Sequence, residues 1–174
     1  MNKRPSWKKY FFEVMDAISK RATCDRGRSG CVIVKDNNII SSGYVGSPPG
    51  LPHCDDVGHL MELHSITYVD NPGSKPYKTF ISSEESSSQH CVRTVHAEMN
   101  AILQAAKRGV ALEGAELYCR MTPCRTCAMA IISVGIKKVF CERKYQKAEE
   151  SEKLFETVGI PLEYVKEEVQ EYEW

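Results

Sequence analysis

The chain has 174 residues, the length of one ordinary domain, and its 23 basic and 23 acidic side chains cancel to a formal net charge of zero. This balance argues against a protein that binds nucleic acid or an anionic membrane through a basic surface, and it favours a small-molecule partner. No apolar run approaches the roughly 20 residues that span a bilayer, and the start of the chain lacks the apolar core of a secretion signal. We therefore expect one cytoplasmic domain over residues 1–174.

Helix and hairpin signals open the chain. Apolar residues at helical spacing follow Ser6, a residue type that caps helix N-termini, and predict a first helix of about 15 residues. Two β-rich runs, GCVIVKD and NIISSGY, flank Asp36, Asn37 and Asn38, a pattern typical of a β-hairpin. The segment GSPPGLPHCDD is too rich in Gly and Pro for a regular element. Residues at about 60–90 form a long polar loop insertion, and long loops in compact domains are often functional.

The second half of the chain alternates helix and strand signals. HAEMNAILQAAKRG predicts a helix that ends near Gly109, and TPCRTCAMAIISVG and EESEKLFETVG predict two more helices. The runs AELYCR, KKVFCE and PLEYV predict strands between and after them. Because the early hairpin is antiparallel and the later strands are joined through helices, we expect an α/β sandwich with a mixed sheet and helices on both faces.

The eight cysteines fall into two groups according to their neighbours. In a reducing compartment they indicate metal ligands or buried apolar side chains rather than disulfides. Three lie in apolar strand-like runs and are expected in the core, namely Cys31, Cys119 and Cys141. The other five lie beside Gly, Pro, His or Asp and are candidates for metal binding, namely Cys24, Cys54, Cys91, Cys124 and Cys127.

The motif TPCRTC sets Cys124 and Cys127 three residues apart at a helix N-terminus, where backbone N–H groups and the helix dipole favour thiolates. Pro123 suits the start of a helix because it has no N–H to leave unpaired, so we expect Cys124 in the first turn. Taken alone, this C-x-x-C pair could equally be a redox pair, half of a structural zinc site or a chance spacing.

The motif TVHAEMNAI adds a histidine and a glutamate to the two cysteines. With His96 there are three nitrogen and sulfur ligands, which leave one zinc position for water, as in catalytic sites. Glu98 could then accept and return a proton instead of binding the metal. A lone H-x-E at a helix start is more often a cap or a surface pair, so the hypothesis depends on the combination of the two motifs.

Together HAEMNAI and TPCRTCAMAIISVGIKKV resemble the zinc-dependent cytidine and deoxycytidylate deaminases, whose signature is H-x-E followed by P-C-x-x-C. Segments such as GCVIV, IISSGYVGSPPG, HCDDVGH and HCVRTVHAE are similar to the deoxycytidylate subgroup, so the resemblance covers most of residues 4–165. It implies a three-layer α/β/α sandwich with a mixed five-stranded sheet. It also implies a catalytic Zn²⁺ held by His96, Cys124 and Cys127, with Glu98 as the catalytic proton carrier.

The implied reaction is the hydrolysis of deoxycytidine monophosphate (dCMP) to deoxyuridine monophosphate (dUMP) and ammonia, which supplies thymidylate synthesis. Another cytosine nucleotide or nucleoside is the alternative substrate. The resemblance also implies deoxynucleoside triphosphate regulators and a homo-oligomer, which is a hexamer in the family. No sequence feature fixes the symmetry of such an assembly.

The resemblance further points to a second zinc site of the kind found in some bacterial and viral members. Such a site would be closed and structural, and would tie the polar insertion to the rest of the domain. Its candidate ligands are Cys24, Cys54, His59 and Cys91, with His90 as the alternative. Ordinary loop histidines and a buried thiol would explain the same residues without a metal.

The substrate contacts are less defined by the pattern. Val45 stands where the family has an asparagine that reaches the nucleotide sugar, and valine can neither donate nor accept from its side chain. Neighbouring backbone groups, a basic loop for the 5′-phosphate and an aromatic ring for the base or sugar are the expected substitutes. The candidates are Gly46 and Ser47, Arg26 and Arg28, and Tyr145. Each of these charges and rings could instead be an ordinary surface or core residue.

Two other classes of function stay open. A deaminase that acts on tRNA or a single-stranded nucleic acid would share the zinc motif, although the balanced charge and the lack of basic and aromatic interleaving argue against it. A non-enzymatic interaction module would use both cysteine groups as structural zinc sites. Glu98 and the open fourth coordination position argue against that module.

Overall fold

The computed structural model describes residues 4–62, 67–69, 77–79, 90–145 and 148–166, and for residues 61–62, 67–69, 77–79 and 90 it describes the backbone alone. The α-helices of this part are α1 (Trp7–Ser19), α2 (Cys54–Val57), α3 (Ala97–Arg108), α4 (Arg125–Ser133) and α5 (Glu149–Thr157). The strands are β1 (Gly30–Lys35), β2 (Asn38–Tyr44), β3 (Met61–Glu62), β4 (Thr67–Val69), β5 (Tyr77–Thr79), β6 (His90–Cys91), β7 (Glu116–Met121), β8 (Lys138–Arg143) and β9 (Leu162–Tyr164).

Five of the strands form one mixed sheet in the order β2-β1-β7-β8-β9. Strand β1 is antiparallel to both β2 and β7, whereas β7, β8 and β9 are parallel to one another. The parallel pairs are connected through α4 and α5, because a parallel connection needs a crossover. The carboxyl ends of the three parallel strands therefore meet at one edge of the sheet, which is where open α/β sheets bind their ligands. The mixed five-stranded sheet expected from the sequence is confirmed.

Helices cover both faces of this sheet. On one face, α1 buries Phe11 and Met15 against Tyr118 and its neighbours. The opposite face packs against α3, α4 and α5, whose core residues are Ala97, Ala101, Ile102, Ala105, Ala128, Ile131 and Phe155. The three thiols expected in the core are fully buried on this second face, namely Cys31, Cys119 and Cys141. The three-layer α/β/α sandwich is thus confirmed.

Local sequence signals explain how the first elements form. The side chain of Ser6 accepts a hydrogen bond from Lys9 N–H and caps α1, as expected, and the helix runs for 13 residues. The β1–β2 hairpin turns on Asp36 and Asn37, which both have positive φ, the backbone conformation that tight two-residue hairpin turns require. Asn38 belongs to β2 rather than to the turn.

The segment GSPPGLPHCDD departs from its prediction at one point. Its last residues open α2, so the prediction that the whole segment is irregular is wrong there. Asp55 and Asp56 lie in the first turn of α2, where acidic side chains interact favourably with the helix dipole, and Cys54 is buried.

Most of the polar insertion at about 60–90 lies outside the described residues. Within it, β3 pairs with β6 and β4 pairs with β5, both antiparallel. One domain over residues 1–174 stays a prediction. Among the helices of the described part, none is both long enough and apolar enough to cross a membrane.

Candidate active site and metal clusters

The two motifs meet where α3 and α4 begin. His96 is the N-cap residue of α3 and Cys124 is the N-cap residue of α4, each with extended backbone angles. The expectation that Pro123 opens the helix with Cys124 in its first turn is therefore wrong. Arg125 is the first helical residue, because a capping residue keeps non-helical angles while its carbonyl already accepts the first helical bond. Cys127 is the third residue of α4 and is buried.

Three ligand atoms converge at this point. Nδ1 of His96 lies 3.4 Å from Sγ of Cys124 and 3.6 Å from Sγ of Cys127, and all three atoms lie within 4.8 Å of one another. A tetrahedral Zn²⁺ with bonds of about 2.3 Å to sulfur and about 2.0–2.1 Å to nitrogen holds such atoms about 3.5 Å apart. The spacing and the donor chemistry of the three predicted ligands thus fit zinc.

The charges of this cluster also suit a cation. A hydrogen bond with Cys127, aided by one with His96, lowers the pKa of the Cys124 thiol to about 3. The same shared proton raises the pKa of Cys127, and the hydrogen bond to Cys124 raises the pKa of His96 to about 9. Negative charge is therefore held on sulfur at the cluster, and a divalent cation can displace the protons that the ligands share.

Glu98 lies in the first turn of α3 and its residue is 6% exposed. Burial raises the pKa of its carboxyl group, while the charge of His96 and a hydrogen bond with Cys127 oppose part of that rise. Burial thus favours the protonated form of this carboxyl group over the form that it has when exposed to water. Glu98 thus lies close enough to the three ligands for their charges to affect its pKa, and it is a neighbour of the cluster rather than one of the three ligands.

The contacts that hold α3 close to β2 were not predicted from the sequence. A side-chain carbon at Gly43 of β2 would lie 2.4 Å from both Ala101 N and Ala97 O, so only glycine permits this approach. Asn100 of α3 donates from Nδ2 to the carbonyl of Tyr44 at 2.8 Å, a second contact between α3 and β2. An isolated glycine inside a strand is the signal that could have indicated the close approach.

The residues predicted to contact the nucleotide differ in whether their polar groups already bond to other groups of the protein. Gly46 uses its backbone N–H and C=O to pair with Val95 at 3.2 and 3.0 Å. A contact from Gly46 to the nucleotide sugar stays a prediction. Ser47 Oγ is buried and has no hydrogen-bond partner within the described residues. Burial raises the pKa of the Tyr145 hydroxyl, and the charge of Cys124 raises it further, so this side chain lies within electrostatic range of the cluster.

The two arginines expected near the phosphate lie close to the second cysteine cluster. Arg28 donates to the carbonyl of Ala22 and forms an ion pair with Asp55 at 3.3 Å, so its guanidinium is engaged by the protein itself. Arg26 lies in the 3₁₀ turn Asp25–Gly27, directly after Cys24. A phosphate role for either arginine stays a prediction.

The second group of predicted ligands also converges. The ligand atoms of Cys24, Cys54, His59 and Cys91 all lie within 4.8 Å of one another. Sγ of Cys54 lies 3.5 Å from Sγ of Cys91, and Sγ of Cys24 lies 3.7 Å from Nδ1 of His59. Tetrahedral zinc holds two sulfurs about 3.8 Å apart and a sulfur and a nitrogen about 3.5 Å apart, so four corners fit. His90, the alternative ligand, has only its backbone described, paired with Glu62.

Neighbouring groups orient these four ligands. His59 bonds through Nε2 to Asp25 at 3.0 Å, which leaves Nδ1 facing the thiols, an arrangement common behind metal-bound histidines. Burial raises the pKa of Cys91, but backbone N–H groups of Arg93 and Leu60 outweigh it and lower that pKa to about 7. These donors stabilise a thiolate at Cys91, which is the form that binds a metal.

Comparison with known proteins gives the family. Residues 5–143 match the model of the cytidine and deoxycytidylate deaminase zinc-binding region. The chain is 38% identical to ComE operon protein 2 of Bacillus subtilis over 93% of this chain and 72% of that protein. It is 39% identical to the deoxycytidylate deaminase of Enterobacteria phage T2 over 72% of this chain and 74% of the phage protein. The deoxycytidylate deaminase of Schizosaccharomyces pombe is 34% identical over 91% of this chain, which spans 44% of it.

A solved structure shares the fold. The dCMP deaminase of cyanophage S-TIM5, crystallised in complex with dCMP and dUMP, superposes with a TM-score of 0.68 at 23% identity and covers 94% of this chain and 100% of that one. The family model spans both motifs that build the three-ligand cluster. The chain therefore belongs to the zinc-dependent cytidine and deoxycytidylate deaminase family.

Proposed function

We propose that this chain hydrolyses dCMP to dUMP and ammonia, with a catalytic Zn²⁺ held by His96, Cys124 and Cys127. The observation that carries the proposal is the buried carboxyl group of Glu98, with its raised pKa, beside a cluster of three ligands. A closed structural site has four protein ligands and needs no such carboxylate, so this combination favours a catalytic site. The names of the phage and yeast relatives, and the nucleotides bound to the cyanophage enzyme, support dCMP as the substrate.

The residues of the cluster suggest how protons move. Zinc bound by the three ligands would supply a Lewis acid that lowers the pKa of water toward about 7. Glu98 would accept a proton from the attacking water and deliver it to N3 of the cytosine ring. It would then carry the other proton of that water, from the hydroxyl group formed on C4, to the departing amino group, so that dCMP and water become dUMP and ammonia. The burial of Glu98 limits competition from bulk water for these protons.

We assign the contacts to the rest of the nucleotide to Ser47 and Tyr145. The hydroxyl of Ser47 can both donate to and accept from a sugar hydroxyl, a role that the side chain of Val45 cannot fill. Tyr145 offers a half-buried ring near the cluster that can pack on the base or the sugar. Arg26 and Arg28 both stay candidates for binding the 5′-phosphate.

We also propose that Cys24, Cys54, His59 and Cys91 hold a second, structural zinc ion. Its closed set of four ligands leaves no position for a substrate. The ligands come from the 3₁₀ turn region, from α2 and its C-terminal side, and from β6. A metal there would connect three segments that lie far apart in the sequence.

A panel of ammonia-release assays tests the activity. Zinc-loaded protein is given cytidine, deoxycytidine, their mono- and triphosphates, and an RNA stem-loop, each with and without deoxycytidine triphosphate. We expect the highest kcat/KM with dCMP. Turnover of the stem-loop with none of any free nucleotide would contradict the proposal and favour a nucleic-acid deaminase. Regulation by deoxynucleoside triphosphates, a homo-oligomer such as a hexamer, and a cytoplasmic location stay predictions.

A further inference from the structure

A chain of hydrogen bonds connects the end of β7 with α5. Thr122, which is 3% exposed and lies two residues before Cys124, accepts from the backbone N–H of Tyr145 at 3.1 Å. Its Oγ1 lies 3.0 Å from the hydroxyl of Tyr164, and that hydroxyl lies 2.8 Å from Oε1 of Glu152. These residues follow β7 and β8 and end β9, so the chain joins the carboxyl ends of three parallel strands.

Each bond in this chain has one possible direction. Nζ of Lys144 lies 2.8 Å from the carboxylate of Glu152. Burial raises the pKa of Glu152, but hydrogen bonds from Lys144 and Tyr164 outweigh burial and lower it, so the group is ionised and only accepts. Tyr164 must therefore donate to Glu152, and with its one hydrogen used it must accept from Thr122. The hydroxyl of Thr122 is then fixed in rotation, with its lone pair toward the N–H of Tyr145.

We propose that Tyr164 and Glu152 are positioning residues for the nucleotide pocket, acting through Thr122 on the backbone of Tyr145. The inference rests on the proposed function, in which Tyr145 packs on the nucleotide. Without the Tyr164 hydroxyl, Thr122 is free to rotate, and the segment that carries Tyr145 loses the contact that ties it to β7. Substrate affinity is then the property that suffers, because the ligands of the three-residue cluster remain in place.

Matched removal of one hydroxyl tests this role. Tyr164→Phe interrupts the series of hydrogen bonds between Glu152 and Thr122. Tyr118→Phe instead removes a hydroxyl that donates to Glu116 at 3.3 Å on the α1 face of the same sheet. For Tyr164→Phe we expect KM for dCMP to rise about 10-fold, with kcat within about threefold and zinc content unchanged. For Tyr118→Phe we expect KM and kcat within about twofold of the original protein.

A second readout needs no substrate. Exchange of the Tyr145 amide hydrogen, followed by NMR on zinc-loaded protein, should be about 10-fold faster in Tyr164→Phe and unchanged in Tyr118→Phe. If Tyr164→Phe does not fold, Glu152→Ala removes the final acceptor and carries the same expectations. If the original protein does not turn over dCMP, the proposed function fails. The exchange rate of the Tyr145 amide then decides alone whether the hydrogen bonds from Glu152 to Thr122 position Tyr145.

Two results would overturn the inference. One is equal KM and equal Tyr145 exchange in the Tyr164→Phe and Tyr118→Phe proteins. The other is faster exchange with an unchanged KM, since the hydrogen bonds would then hold the backbone at Tyr145 without affecting the binding of the nucleotide.

Discussion

Replacing Gly43 by alanine displaces the helix that carries half of the candidate active site. The added methyl carbon would lie 2.4 Å from the backbone atoms Ala97 O and Ala101 N, which cannot rotate away as a flexible side chain could. Ordinary van der Waals contact begins at 3.4 Å, so α3 must retreat by about 1 Å. His96 caps α3 and Glu98 lies in its first turn, so both move, while the two cysteine ligands stay with α4.

The size of the effect follows from this retreat. Overpacking of a core contact costs about 1–3 kcal/mol, and we expect Gly43→Ala to lower the free energy of unfolding by that amount. A misplacement of about 1 Å at a catalytic group can cost about 100-fold in rate. We therefore expect kcat for dCMP to fall about 100-fold per folded molecule, with a lower zinc content because His96 moves away from the cysteines.

Gly30→Ala provides the matched control. A methyl carbon there would lie 2.5 Å from Met15 O and 2.9 Å from Ser19 N, so it strains the packing of α1 on the opposite face. Urea unfolding should show a similar loss of stability in both variants. Zinc analysis and ammonia release should show a loss only for Gly43→Ala. Equal loss of turnover per folded molecule in the two variants would refute the argument that α3 sets the geometry of the site.

Two further predictions concern the second cluster and the surface. Cys54→Ser should reduce bound zinc from two ions per chain to one, measured by atomic absorption after gel filtration. A value of one ion per chain in the original protein would contradict the second zinc site. Hydrogen bonds from Lys138 and then Lys8 lower the pKa of Glu163, so its stabilisation is present above the unfolded value of about 4.3 and is lost as pH falls through the lower folded value. The difference in unfolding free energy between the original protein and Glu163→Gln, under about 1 kcal/mol for so exposed a pair, should shrink from pH 6 to pH 3. A difference that does not change with pH would count against this ion pair.

Local signals in the sequence were sufficient wherever neighbouring residues decide the structure. Ser6 caps α1, Gly109 ends α3 in the left-handed conformation, and the hairpin turns on Asp36 and Asn37. The three-ligand cluster was also accessible, because H-x-E and P-C-x-x-C each set ligand types at the start of a helix. Family resemblance gave the four residues of the second cluster, which the fold brings together.

The remaining features depend on contacts between distant residues. α2 was missed because Gly and Pro dominate its surroundings, although Asp55 and Asp56 suit a helix start. Gly43 looked like any glycine in a strand, and only its packing on α3 gives it a specific role. The hydrogen bond between Tyr164 and Glu152 joins a strand and a helix. The two residues are 12 positions apart in the sequence, a separation that matches no repeat of a helix or a strand.

The central claim is that Glu98 carries protons for a reaction at the cluster of His96, Cys124 and Cys127. The most direct test is the rate of ammonia release from dCMP by Glu98→Gln, measured together with its zinc content. Since Gln keeps the shape of the side chain but cannot take up a proton, we predict zinc content equal to that of the original protein and a rate lower by about 100- to 10,000-fold. A rate equal to that of the original protein at equal zinc content would contradict the claim.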